Sequence, residues 1–275
     1  DRSKVKGFLG PEVMTIQAEH LLELWRETSE KDCEQDAEAL EKRFKSKNIK
    51  SSDVLASLRL GLAMRRLYKK FNLDGLCFLG QHYIEKVCAA PARMGASKLM
   101  EEDGFMVSCE GDIGGLVMMD LLYKFTGNQP FQAEWGQVDL ANNALFLLGH
   151  GIGAPQLAKN DDEVLLTGSP EEWGFEGSGL NYELILKPGE VTMGHFLNLG
   201  DSYQMLISRG ESIAYPRLPC NELHAMIRVK SEVRQYLKEL INVGCAHHVV
   251  LAAGDAWREL QKTAELMRIK TVVVE

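Results

Sequence analysis

The feature that most limits what this chain can fold into is a change of rhythm near Gly127-Asn128-Gln129-Pro130. Upstream, helical and strand-like segments alternate. Ala37, Leu40 and Phe44 recur at helical spacing amid charge, and Leu55, Leu58 and Leu62 repeat it behind the cap candidates Ser51-Ser52-Asp53. Gly75-Leu76-Cys77-Phe78-Leu79-Gly80 is a short apolar run bounded by glycines and predicts a buried strand. A helix over about 91–100 and a strand over 105–109 follow, and Asp112 can cap a helix carrying Ile113, Leu116, Val117 and Leu121. This β–α–β–α order argues for a parallel sheet with helices packed on it.

Downstream of the change, short strands and glycine turns dominate. Val164-Leu165-Leu166 runs into Gly168-Ser169-Pro170, 182–187 into Pro188-Gly189, 191–199 into Gly200-Asp201, and 203–208 into Arg209-Gly210. Strand, tight turn and strand at that spacing predict an antiparallel meander. Two helices return near Ser231 and Asp255, and Thr271-Val272-Val273-Val274 closes as a strand. The expected class is therefore α/β. A parallel-sheet, Rossmann-like α/β domain would span 1–127, and a mainly antiparallel, β-rich domain with flanking helices would span 128–275.

Charge and cysteine usage narrow the function. A net charge of −8 with no basic run argues against nucleic acid or an anionic membrane as partner. No apolar run approaches the roughly 18 residues of a membrane span, and no signal peptide is visible. The six cysteines form no C-x-x-C pair, as expected of free thiols in a reducing cytosol. The chain opens on Asp1 rather than Met, which raises the expectation of a start inside a longer polypeptide. No P-loop, dinucleotide fingerprint or G-x-S-x-G elbow is present.

Four residues stand out as chemistry. Glu110 follows a predicted strand and precedes a helix, so it points into the crevice where open α/β sheets gather ligands; an acid there also serves a helix dipole. Glu134 sits between Phe131 and Trp135 and reads either as a ligand or as a surface acid on a strand. His150 ends an apolar run, as a site residue or as a core histidine bonded to backbone. His247-His248 opens an apolar strand, where adjacent side chains point to opposite faces and one of the two can enter a site. His20, His195 and His224 read as surface or satisfied residues. Cys109 abuts Glu110, whose carboxylate disfavours a thiolate. Two Glu and two His suit Mn²⁺, Co²⁺ or Zn²⁺.

Taken together, Cys109-Glu110-Gly111-Asp112, Phe131-Gln132-Ala133-Glu134, Leu148-Gly149-His150 and Gly244-Cys245-Ala246-His247-His248-Val249-Val250 resemble the C-terminal part of the L-arabinose isomerase and L-fucose isomerase superfamily, the arabinose branch more closely. The 199–203 turn and the closing helix and strand over 260–274 resemble the same part. The resemblance implies a metal-dependent aldose–ketose isomerase, or its C-terminal portion, acting through an enediol. Glu110, Glu134, His150 and His248 would hold Mn²⁺ or another divalent cation such as Co²⁺, and the two glutamates would also move protons. It further implies a pentose or hexose substrate, a cytoplasmic homo-oligomer (trimer or hexamer), and an N-terminal domain beyond this chain. Gln81-His82-Tyr83 falls roughly where that superfamily has a substrate-contacting loop. Two alternatives keep the same scaffold: a metal-dependent sugar epimerase, and a non-catalytic sugar-binding or assembly module.

Overall fold

Short helices with charged outer faces build the first third of the computed structural model, which describes residues 2–171, 174 and 177–275. Helices α1 (Arg2–Leu9), α2 (Ala18–Arg26) and α3 (Glu34–Arg43) and strand β1 (Lys45–Lys47) lead into the long α4 (Ser51–Phe71). The cap of α4 differs from the expected serines. Asp53 Oδ2 accepts the Lys50 N–H at 3.2 Å, which places Ser51 and Ser52 inside the first turn. The helix stops at Asn72, whose φ of +50° is left-handed.

Strands β2 (Gly75–Cys77) and β3 (Met106–Ser108) pair in parallel, with α5 (Gln81–Cys88) and α6 (Arg93–Asp103) between them. β3 is buried as expected, whereas β2 is only half-buried and Leu79 beyond it is 74% exposed. Gln81-His82-Tyr83 is not a loop but the first turn of α5. Helix α7 (Ile113–Thr126) is capped as expected: Asp112 Oδ1 accepts the Gly115 N–H at 2.8 Å.

The remaining strands are β4 (Pro130–Asp139), β5 (Ala144–Gly149), β6 (Leu165–Thr167), β7 (Asn181–Ile185), β8 (Gly189–Asn198), β9 (Tyr203–Ser212), β10 (Leu223–Arg228), β11 (His248–Ala253) and β12 (Lys270–Val274). Helices α8 (Val233–Asn242) and α9 (Trp257–Met267) lie among them. The strands form one ten-stranded mixed sheet in the order β1-β6-β7-β10-β5-β4-β11-β8-β9-β12. The α/β class therefore holds, with a large mixed sheet and flanking helices.

The expected meander does not hold. β4–β5, β6–β7 and β8–β9 are antiparallel neighbours, but β7 pairs in parallel with β10, β12 pairs in parallel with β9, and β8 turns to β11. An additional antiparallel pairing of β9 with β10 closes β10-β5-β4-β11-β8-β9 into a ring of six strands. The turn expected at Arg209-Gly210 is part of β9, which runs on to Ser212. Gly210 is there because a Cβ would lie 2.5 Å from Ile227 Cγ2, so it permits the close β9–β10 contact.

Strand alternation then divides the core in two. Phe131, Ala133, Leu145, Leu147, Val249 and Leu251 fill the inside of the ring. Val250, Ala252, Met205 and Ile207 face outward and pack with Met118, Met119 and Val107 of the α7–β3 layer. Gly194 lets α7 sit close on β8, since a Cβ there would meet Met118 Sδ at 3.0 Å. Among the described residues no helix is long and apolar enough to cross a membrane.

Candidate metal centre

The same alternation carries Gln132 and Glu134 outward from β4 and His248 outward from β11. The two strands are adjacent, with His248 opposite Glu134 in register. On the other side of β4, Gly149 ends β5 opposite Ala133, and His150 is the next residue. Glu110 comes from a different layer. It lies in the turn between β3 and α7 with φ +60°, at the carboxyl end of a parallel strand. The four residues predicted from sequence therefore do converge. One ligand atom from each of Glu110, Glu134, His150 and His248 lies within 4.8 Å of every other.

Individual separations describe the cluster. His150 Nδ1 is 3.7 Å from Glu110 Oε1, and His150 Nε2 is 3.7 Å from Glu134 Oε1. His248 Nε2 is 3.4 Å from Glu110 Oε2. The two imidazoles stand edge to face, with centroids 4.9 Å apart. His150 and His248 are buried while the glutamates are partly open, with side-chain exposures of 48% for Glu110 and 30% for Glu134. The site thus has a buried imidazole floor and a carboxylate rim open to a ligand. His247 is turned the other way and is 68% exposed, although its Nε2 still comes within 3.5 Å of Glu110 Oε2.

Three residues that sequence reasoning did not place here support the floor. Asp112 Oδ2 receives His195 Nε2 at 2.7 Å and His248 Nδ1 at 3.0 Å. Gln132 Nε2 lies 2.7 Å from His248 Nδ1 and 3.4 Å from Asp112 Oδ2, while its Oε1 accepts the Cys109 N–H at 2.9 Å. Burial pushes the Asp112 carboxyl up, but the hydrogen bonds from His195 and His248 outweigh it and hold the group well below the usual carboxylate range. An ionised Asp112 only accepts and the Gln132 amide nitrogen only donates, so His248 Nδ1 meets an acceptor at 3.0 Å and a donor at 2.7 Å; with its proton directed to Asp112, Nε2 keeps a lone pair. One signal for Gln132 was available: it lies two residues before Glu134, on the same face of a strand.

The donor set fits a divalent cation. His248 Nε2 is buried, makes no hydrogen bond and faces a carboxylate. Burial, and then the neighbouring His248, pushes the His150 imidazole down to about 4, so it stays neutral, the form that binds metal. Two neutral-capable nitrogens and two carboxylates can hold such an ion. Cys109 is a poor competitor. Burial and the adjacent Glu110 push its thiol up to about 11, so it remains protonated near neutrality.

No family model matches the chain. Among curated proteins it is similar to a sulfoquinovose isomerase of Alkalicoccus urumqiensis, 27% identical over 278 residues that cover 100% of this chain and 61% of that protein. Sulfoquinovose isomerases of Priestia aryabhattai and Priestia megaterium are each 26% identical over 173 residues, 62% of this chain and 38% of theirs. The chain thus spans about 61% of the length of the full-coverage relative.

Proposed function

We propose that this chain is the metal-holding part of an aldose–ketose sugar isomerase acting through an enediol. The observation that carries the reading is the convergence of Glu110, Glu134, His150 and His248 within 4.8 Å. Similarity to proteins named sulfoquinovose isomerase supports it and makes sulfoquinovose the first sugar to try among pentoses and hexoses.

Glu110, Glu134, His150 and His248 hold the cation, Mn²⁺ or Co²⁺. When bound, it polarises the sugar oxygens and stabilises the negative charge that develops on them. The glutamates do the proton work. One carboxylate removes the C2 proton of the open-chain aldose, leaving an enediolate that becomes the enediol on protonation at the C1 oxygen, and returns that proton to C1; the other gives the C1 oxygen its proton and takes one from the C2 oxygen. Their partial exposure leaves the rim accessible to a sugar, while the buried imidazoles stay fixed as ligands. Asp112, with His195 and Gln132 around it, orients His248.

The test is ¹H and ¹³C NMR of an aldose panel incubated with protein and Mn²⁺ in D₂O. Formation of a ketose, with deuterium entering from solvent, is expected. Glu110→Gln and Glu134→Gln should each lower turnover by at least about 10²–10⁴-fold while keeping the wild-type circular dichroism spectrum. A second aldose as the product, or wild-type turnover in either variant, would reject the reading.

A further inference from the structure

Beside the cluster lies an enclosed ion pair that the proton chemistry does not use. Arg93, the first residue of α6, is 2% exposed, and Glu222, which immediately precedes β10, is 0% exposed. Arg93 Nη1 donates to Glu222 Oε1. The Asn181 side chain next to the pair donates from Nδ2 to the Asn221 carbonyl at 2.6 Å.

Gly151 directly follows His150, and its φ is +67°. A Cβ at 151 would lie 2.1 Å from Asn181 Oδ1 and 2.7 Å from Arg93 Nη1. The turn after His150 is therefore seated on the polar cluster with no space between. One helical turn along α6, Ser97 Oγ accepts the Gly153 N–H at 3.0 Å. Ser97 Oγ also donates to the Gly151 carbonyl at 3.4 Å, so two backbone positions just past His150 are tied to α6. Helix α6 is itself seated on α4, where a Cβ at Gly95 would lie 2.8 Å from Gly61 Cα.

A buried ion pair is expensive to desolvate, and an apolar pair of similar volume often stabilises a fold as well or better. Stability alone therefore does not account for Arg93 and Glu222. Direction does: the Arg93 guanidinium, held by Glu222, packs directly against the backbone of the residue that follows His150.

We propose that Arg93 and Glu222 are positioning residues for His150. By packing against the Gly151 backbone with no room to spare, they hold the imidazole toward Glu110 and Glu134, ready for the cation. The inference rests on the reading of the four-residue cluster as a metal site.

The experiment is titration of the metal-free protein with Co²⁺, followed by calorimetry and by the visible absorption of the bound ion, with thermal unfolding of each metal-free variant measured alongside. Glu222→Gln should weaken Co²⁺ binding by about 10–100-fold and alter the visible band, which reports ligand geometry. Arg93→Lys keeps the charge but gives up the planar donor set, so it should show a smaller loss in the same direction. It carries the comparison alone if Glu222→Gln does not fold. Leu260→Ala on α9 removes a fully buried side chain away from the cluster; it should lower the melting temperature yet leave Co²⁺ affinity and spectrum at wild-type values. Wild-type titration curves and spectra in the folded Arg93 and Glu222 variants would overturn the positioning role alone. So would a loss of affinity in Leu260→Ala that matched theirs. A wild-type protein that takes up no Co²⁺ would instead remove the metal reading, and this inference with it.

Discussion

Glu110 reaches the cluster from a backbone conformation that ordinarily selects glycine. Its φ of +60° brings Cβ close to the carbonyl, a strain of about 1–2 kcal/mol for an L-residue. Glu110→Gly should relieve that strain and hold or raise the urea midpoint, while Co²⁺ binding measured by calorimetry is lost. A lower midpoint would mean that the carboxylate itself supports the fold. Glu110, Glu134, His150 and His248 were expected together from the resemblance and not from any one of them, since Glu110 alone also reads as a helix-terminal acid, Glu134 as a surface acid and His150 as a core histidine. Their supports were less legible. Asp112 reads as a helix cap and is one through Oδ1, but its other oxygen meets His195 and His248 from strands that no local pattern connects to it.

Elements were read best where both ends carried a signal. Helix α7 runs from the Asp112 cap to Gly127, left-handed at φ +67°, and both ends are visible in the sequence. β1 was missed because Lys45-Ser46-Lys47 is exposed throughout and, among the described residues, has only one strand neighbour, β6. β9 was cut short because Gly210 looks like a turn, when it marks a close approach between strands. That distinction has a measurable consequence. Gly210→Ala places a methyl group 2.5 Å from Ile227 Cγ2 and 2.9 Å from the Arg228 carbonyl, so it should destabilise the protein by about 1–3 kcal/mol, read from urea unfolding. A turn glycine at that position, with open space around it, would have tolerated the change. The antiparallel pairing of β8 with β9 follows from the turn between them, but the wider strand order was not legible, since pairings such as β7 with β10 depend on packing across the ring rather than on neighbouring residues.

Across the whole molecule, the candidate site draws on two layers that share a core on the outer face of the strand ring. The β3–α7 layer supplies Glu110, and the strand ring supplies Glu134, His150 and His248. We propose that the division expected at residue 127 is the seam the cation crosses. A ligand bound only by the folded state at a hundred times its dissociation constant adds about 2.7 kcal/mol of stability. Mn²⁺ at that excess should therefore raise the melting temperature, chelation by EDTA should reverse the gain, and His248→Ala should abolish it. Equal melting with and without the ion would separate the cluster from metal binding. The spacing of these ligands along the chain also sets an order of events during synthesis. Glu110, Glu134 and His150 have all left the ribosome about a hundred residues before His248 does. On the proposed reading, until β11 slides in between β4 and β8 a nascent polypeptide can grip the ion only partially, so full capture of the cation would mark a chain extended past β11 and correctly threaded.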